Sequence, residues 1–236
     1  FCRRLALEGA PDGTAVLADC QTAGRGRRGR SFQSPAGKGL FFSILWRPDC
    51  APEELLPLTA LSAVAVCHAI QRVTGARPQI KWPNDLVLGG RKLAGILTEM
   101  SLEGESGHVS HVVVGIGINL AQPQEYFDMA GLPHGTSLLL QGVNVDLDTD
   151  PEWLAQYMTD FGFDRALYTY EEQGFAPYRE QYKAQCVNLG RRVTYDGGAG
   201  IAKDIDEEGR LIVHDESGDT HVFTGEVSVH GIYGAV

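Results

Sequence analysis

Four arginines and a lysine crowd one stretch that contains no acidic residue. Gln21 to Leu40, QTAGRGRRGRSFQSPAGKGL, carries Arg25, Arg27, Arg28, Arg30 and Lys38, and the nearest carboxylates in sequence are Asp19 and Asp49. The chain has a formal charge of −10, so with this stretch at +5 the remainder stands at −15. Guanidinium groups present paired donors to oxyanions, and glycines at 24, 26, 29, 37 and 39 let successive backbone N–H groups converge on a phosphate. The chemistry implied is capture of an anion. With no carboxylate close in sequence to offset them, the arginines repel one another, and the loop is expected to be mobile until its ligand arrives.

Other readings of the stretch are weaker. A basic glycine-rich run can be a solvated tail or a nucleic-acid arm, but strand-like runs flank it, Thr14–Cys20 before and Leu40–Trp46 after. A protein with a pI near 5.1 is also a poor general binder of polyanions. Gly24, Gly26 and Gly29 spell GxGxxG, yet no helix pattern opens at the third glycine. AGKG at 36–39 lacks the Ser or Thr a P-loop needs after its lysine.

Further polar groups sit where strands break. IKWPNDLVLGGRKLAGILTEM, Ile80 to Met100, reads as a β-hairpin turning at Gly89-Gly90. Pro83 removes a ladder donor, so WPND should bend at a sheet edge and project Asn84 and Asp85, with Lys81 and Lys92 bracketing the hairpin. HVVVGIGINL, His111 to Leu120, is a third strand. Its Gly115 and Gly117 leave space above the sheet for another backbone or a flat ligand, and Asn119 at its end offers an amide suited to a purine edge. Asn84, Asp85 and Asn119 are also ordinary turn and strand-end residues.

The elements that must position these groups are legible in outline. In 236 residues, 43% hydrophobic and 21% charged with 29 glycines, the chain has room for one or two domains and many turns. FCRRLALEGA reads as the end of a helix stopped at Gly9. Pro52–Thr74 reads as one helix with Leu55, Leu58, Leu61, Ala65 and Ala69 on a face and Gly75 as its stop. His68 near that face is a packing residue. No membrane-length apolar run is expected, and five cysteines without CxxC spacing read as free thiols of a reducing, cytoplasmic compartment. Pro151–Gln173 is a second long helix with Asp150 as N-cap and Leu154, Tyr157, Met158, Phe161 and Arg165 as its stripe; Phe161, Phe163, Tyr168 and Tyr170 are read as core. A short helix, Ala176–Gln185, follows. From Cys186 the runs RRVTY, GIAKDID, RLIVHD and HVFTGEVSV, divided by glycine turns, suit a small barrel. The fold expected is α+β, with a mixed or antiparallel sheet in residues 1–185 and that barrel in 186–236.

Taken together, GRGRRGRSFQSPAGKGLFFSILWRP, KWPNDLVLGGRKLAGILTE and VVVGIGINL, with HGTSLL and GEVSVHG behind them, resemble the biotin protein ligases. The resemblance covers essentially the whole chain and implies an SH3-like C-terminal domain. It also implies a two-step reaction: biotin and ATP give biotinyl-5′-AMP, and a lysine of the biotin carboxyl carrier protein of acetyl-CoA carboxylase then takes the biotin. Gln21, Arg25, Gly26 and Arg27 resemble biotin-site residues, and Arg27 and Arg30 would also face the phosphates. Lys92 resembles the lysine beside the biotin carboxylate and α-phosphate, and Lys81 a phosphate contact. Asn84 and Asn119 resemble adenine-side amides, and Asp85 the carboxylate that orients or deprotonates the incoming lysine. Phe32 stands where a tryptophan is common and keeps a stacking face. Magnesium is expected with ATP, without a protein-only cage. The family's Ser-Thr-Asn segment would lie upstream of Phe1, and no winged helix precedes the catalytic part, so DNA binding has no support. Relatives are monomers or dimers, so a homodimer through sheet edges is possible, and no membrane partner is expected. Two alternatives remain: a lipoate or octanoyl transferase on the same scaffold, disfavoured by GRGRRGR and KWPND, and a biotin-binding regulator without ligase activity.

Overall fold

Strands that are apolar at consecutive positions must be covered on both faces, and that requirement builds the core. The computed structural model describes residues 1–32, 35–104, 107–159 and 164–234. A first helix α1 (Cys2–Leu7) leads to β1 (Ala15–Ala18) and β2 (Gly39–Trp46), then α2 (Leu58–Thr74). Next come β3 (Gln79–Lys81), β4 (Asp85–Leu88), β5 (Arg91–Leu102) and β6 (Val109–Asn119). These six strands form one antiparallel sheet in the order β1-β2-β6-β5-β4-β3. In β2, Leu40, Phe42, Ile44 and Trp46 share the core with α2, whereas Leu45 on the other face packs with Val113, Cys2 and Ala6 beneath α1.

α2 is buried on nearly every side, from Leu58 to Ile70, and ends at Gly75 in the left-handed conformation (φ 75°). The single helix expected from Pro52 is divided: Pro52–Leu55 is a 3-10 turn and α2 starts after Pro57, whose ring nitrogen cannot continue the hydrogen-bond ladder. Pro52–Thr74 is also, at a mean hydropathy of 1.4, long and apolar enough to cross a membrane, contrary to expectation. Its apolar residues face the protein instead, with 72% of that window buried, because a helix enclosed on all sides needs no polar face.

The hairpin turns at Gly89 (φ 58°) and Gly90 (φ 72°), both left-handed as a two-residue turn requires. It lies between β4 and β5; the segment before it forms a strand of its own, β3, and Trp82-Pro83-Asn84 makes the tight connection from β3 to β4. Trp82 is buried at the junction with the C-terminal part, its indole N–H donating to Gly209 O at 2.9 Å and its backbone N–H to Asn188 Oδ1 at 2.8 Å.

After β6 come α3 (Gln124–Met129), α4 (Asp150–Tyr157), α5 (Asp164–Gln173) and α6 (Ala176–Gln185). The N-cap of α4 is Thr149 rather than Asp150, whose carboxylate accepts from Asp146 N–H at 2.9 Å inside the first turn. Leu154, Met158 and Tyr170 are buried; Phe161, Phe163 and the Arg165 and Tyr168 side chains lie outside the described residues. His68 packs edge-on against Tyr157 at 5.7 Å, linking α2 to α4.

A second sheet holds β7 (Arg192–Tyr195), β8 (Gly198–Ile205), β9 (Leu211–Asp215), β10 (Gly218–Val222) and β11 (Val227–Val229) in the order β10-β9-β8-β7-β11. The run HVFTGEVSV is therefore two strands on opposite edges, and Phe223–Glu226 must leave the pairing to cross between them. Its core residues Val193, Ala202, Ile205 and Val213 are continuous with the main core.

Leu61 has no exposed surface, whereas Leu56 in the break before α2 is 47% exposed. Leu61→Ala is expected to destabilise the protein by about 2–5 kcal/mol in urea unfolding, and Leu56→Ala by much less.

Candidate active site

The basic loop is a closed structure. Gly26 N–H donates to Arg30 O at 2.7 Å, Phe32 N–H to Gly24 O at 2.9 Å and Arg30 N–H to Arg27 O at 3.2 Å, around a short 3-10 turn, Arg27–Gly29. Arg28 (φ 55°) and Gly29 (φ 73°) both take left-handed backbone to make the reversal. Gly37 N–H is fixed by Asp19 Oδ1 at 2.9 Å.

Carboxylates distant in sequence supply what the loop lacks. Arg25 pairs with Glu99 of β5, Arg28 with Asp196 at 2.8 Å, and Arg30 with Glu226. Arg27 is half-buried and bonds Thr224 Oγ1 at 2.9 Å, Gly225 O at 3.4 Å and Asn84 Oδ1 at 3.1 Å. The expectation of a loop without offsetting charge is therefore corrected: the sheet and the C-terminal barrel carry the counter-charges, and two of the three carboxylates lie in or beside the barrel's turns.

A cavity of about 970 Å³ opens beneath this loop. All eleven residues singled out in the sequence line it: Gln21, Arg25, Gly26, Arg27, Arg30, Phe32, Lys81, Asn84, Asp85, Lys92 and Asn119. The volume is near the upper end of the range for small-molecule sites, with room for an organic acid together with a nucleotide. Its floor is the sheet. The space above Gly117 is filled by the ring of Phe32, so closely that a Cβ there would overlap it, and the same ring lies over Gly95, whereas at Gly115 a Cβ would meet Leu97 O and Ser43 Oγ instead. Phe32 also meets Phe41 edge-on at 6.3 Å.

Lys92 Nζ lies 2.6 Å from Asp85 Oδ1, and the Tyr233 hydroxyl donates to Asp85 Oδ2 at 3.0 Å. Burial, then the Asp85 charge, pushes the Tyr233 phenol far above its ordinary range, so it remains a donor. Lys81 is 9% exposed; its ammonium donates to Val227 O at 2.8 Å, and burial pulls its pKa below the usual lysine value while Asp85 opposes that shift. The two asparagines are committed within the fold. Asn84 Nδ2 donates to Ile96 O at 2.9 Å, while Asn119 Nδ2 donates to Thr136 O at 3.0 Å and its Oδ1 accepts from Gln122 at 3.1 Å. Each fixes the local backbone with at least part of its amide.

Among the described residues no group of three or more His, Cys, Asp and Glu could hold a metal ion. Glu99, Glu226 and Asp85 are each held by a cation. A resident metal cage does not fit this donor set.

Sequence reasoning missed Glu99, Glu226, His134 and Tyr233 as cavity residues. GEVSVHG was noticed as a motif, but nothing in its spacing tied Glu226 to Arg30.

Comparison with known proteins agrees with this geometry. Residues 3–119 match the biotin/lipoate A/B protein ligase family, and residues 189–230 match the biotin protein ligase C terminal domain. A biotin–[acetyl-CoA-carboxylase] ligase of Paracoccus denitrificans is 36% identical over 226 residues, 92% of this chain and 90% of that protein. The bifunctional ligase/repressor BirA of Bacillus spizizenii is 35% identical over 95% of this chain and 69% of its own length. The biotin protein ligase from Aquifex aeolicus in complex with biotin and ATP superposes with a TM-score of 0.75 at 28% identity, covering 97% of this chain and 93% of that one. The chain belongs to the biotin protein ligase family.

Proposed function

We propose that this chain is a biotin–[acetyl-CoA-carboxylase] ligase, joining biotin to one lysine of a biotin carboxyl carrier protein at the expense of ATP. The observation that carries the reading is the cavity of about 970 Å³, which gathers six arginines, four of them from the basic loop, and two lysines in a chain of net charge −10. Both substrates of the first step are anions. Fixed cations must bring them together and stabilise the charge that builds up as they react.

In the first step a biotin carboxylate oxygen bonds to the α-phosphorus of ATP, the bond to the β-phosphate oxygen breaks, and pyrophosphate leaves. Arg27, Arg30, Lys81 and Lys92 serve the phosphates, and Gln21, Arg25, Gly26 and Arg27 the biotin. Phe32 provides an adenine-stacking face, with Asn84 and Asn119 on the adenine side. In the second step a neutral carrier amine bonds to the acyl carbon, the acyl–oxygen bond breaks, AMP leaves, and Asp85 takes or orients the amine proton. Magnesium would arrive with ATP as part of that substrate. Residues 1–185 form the catalytic domain and 186–236 the SH3-like one on this reading. The cytoplasm is the proposed compartment, in keeping with five free thiols. β1 is an edge strand of the large sheet through which a homodimer could pair.

Incubation of this chain with biotin, magnesium–ATP and the carrier domain is expected to add one biotin to one carrier lysine, read by intact mass; lipoate in place of biotin is expected to add nothing. Lys92→Ala should slow biotinyl-5′-AMP formation roughly 100-fold with little change in melting temperature, since one electrostatic contact to the transition state is lost. Arg27→Gly should lose adenylate formation or release free adenylate, measured by chromatography of the nucleotide fraction.

A further inference from the structure

The described chain ends on a short tail that returns into the cavity. After β11, Ile232 is buried and its N–H donates to Val229 O at 3.0 Å. Tyr233 follows at φ 58°, between Gly231 (φ 78°) and Gly234 (φ 70°). A left-handed backbone is uncommon for an aromatic residue and persists where the surroundings hold it. Four contacts do so here. Tyr233 N–H donates to Gly90 O of the β4–β5 turn at 3.2 Å, and its ring lies nearly parallel to His134 at 5.8 Å and 15°. Lys81 Nζ sits 5.0 Å from the ring centroid, and the hydroxyl reaches Asp85.

We propose that Tyr233 is a positioning residue for the transfer half-reaction, its hydroxyl fixing the plane of the Asp85 carboxylate that meets the incoming amine. The inference rests on the reading of Asp85 given above. Lys92 at 2.6 Å holds Oδ1, which leaves the carboxylate free to rotate about the bond to its own Cβ. A second donor on Oδ2 removes that freedom. Each carboxylate oxygen accepts more than one hydrogen bond, so the amine can approach with both donors in place. A proton acceptor in the wrong orientation loses rate steeply, since the productive geometry tolerates only tenths of an ångström and some tens of degrees. The ring and the hydroxyl have separable tasks: the ring packs against His134 and Lys81, and the hydroxyl alone touches Asp85.

Tyr233→Phe, Asp85→Asn and the double variant test this in the full chain. Preformed biotinyl-5′-AMP is mixed with carrier domain to measure transfer, and biotin-dependent pyrophosphate exchange measures the first half-reaction. Tyr233→Phe is expected to lower the maximal transfer rate about tenfold with carrier KM within about twofold and exchange reduced no more than about twofold, the scale of a misaligned reacting group. The double variant is expected to transfer at the rate of Asp85→Asn alone, because Tyr233 acts through Asp85. Transfer by Tyr233→Phe within twofold of the parent, equal losses in both half-reactions, or additive losses in the double variant would overturn the proposal while leaving Asp85 in place. Parental transfer by Asp85→Asn removes the Asp85 reading itself.

Discussion

Five positive charges in twenty residues, with no acid among them, are the constraint on which this structure depends. The loop cannot balance itself, so its shape is set by carboxylates from β5 and from the C-terminal barrel. The two sheets share a continuous apolar core, and Phe223–Glu226 crosses beside the loop, bringing Thr224, Gly225 and Glu226 against Arg27 and Arg30. Arg25, Arg28 and Arg30 remain about half exposed or more, in the class of ion pairs that hold weakly. Phosphate oxygens, which accept bidentate charge-assisted bonds, can therefore take these arginines over without a large loss to the fold.

Deeper in the cavity the balance is different. Lys81 and Arg27 are substantially desolvated, and burial lowers the affinity of each for its proton. They are kept in place by carbonyls, Val227 O for Lys81 and Gly225 O for Arg27, in addition to the charge of Asp85. A cation held by neutral acceptors retains most of its field for a ligand. On the proposed function, the exposed arginines would exchange partners on ligand binding, while Lys81 and the half-buried Arg27 would stand preorganised.

Much of this was legible in the sequence because the signals were local. Gly89-Gly90 announced its turn, Pro83 its break, and the glycine and arginine spacing its loop. Ten of the eleven candidate residues lie in three long motifs, and Gln21 stands just before the first. What the sequence did not reveal was non-local or non-periodic. Glu99 and Asp196 lie 74 and 168 residues from the arginines they meet. The break at Pro57 was hidden inside an otherwise periodic run, and HVFTGEVSV carried no mark of the point where one edge of the barrel gives way to the other. Asn84 and Asn119 were read as amides resembling adenine-side contacts or as turn and strand-end residues, and part of each is bonded to a backbone carbonyl. Tyr233, one aromatic in a glycine-rich tail, had no spacing that pointed to Asp85.

On the proposed function, the cation-lined cavity joins biotin to AMP. Biotin-dependent exchange of labelled pyrophosphate into ATP, with magnesium present and lipoate as the control acid, measures that step without the carrier. Exchange is expected with biotin and not with lipoate. Exchange with lipoate alone, or no exchange with either acid in a chain that still binds biotin, would contradict it.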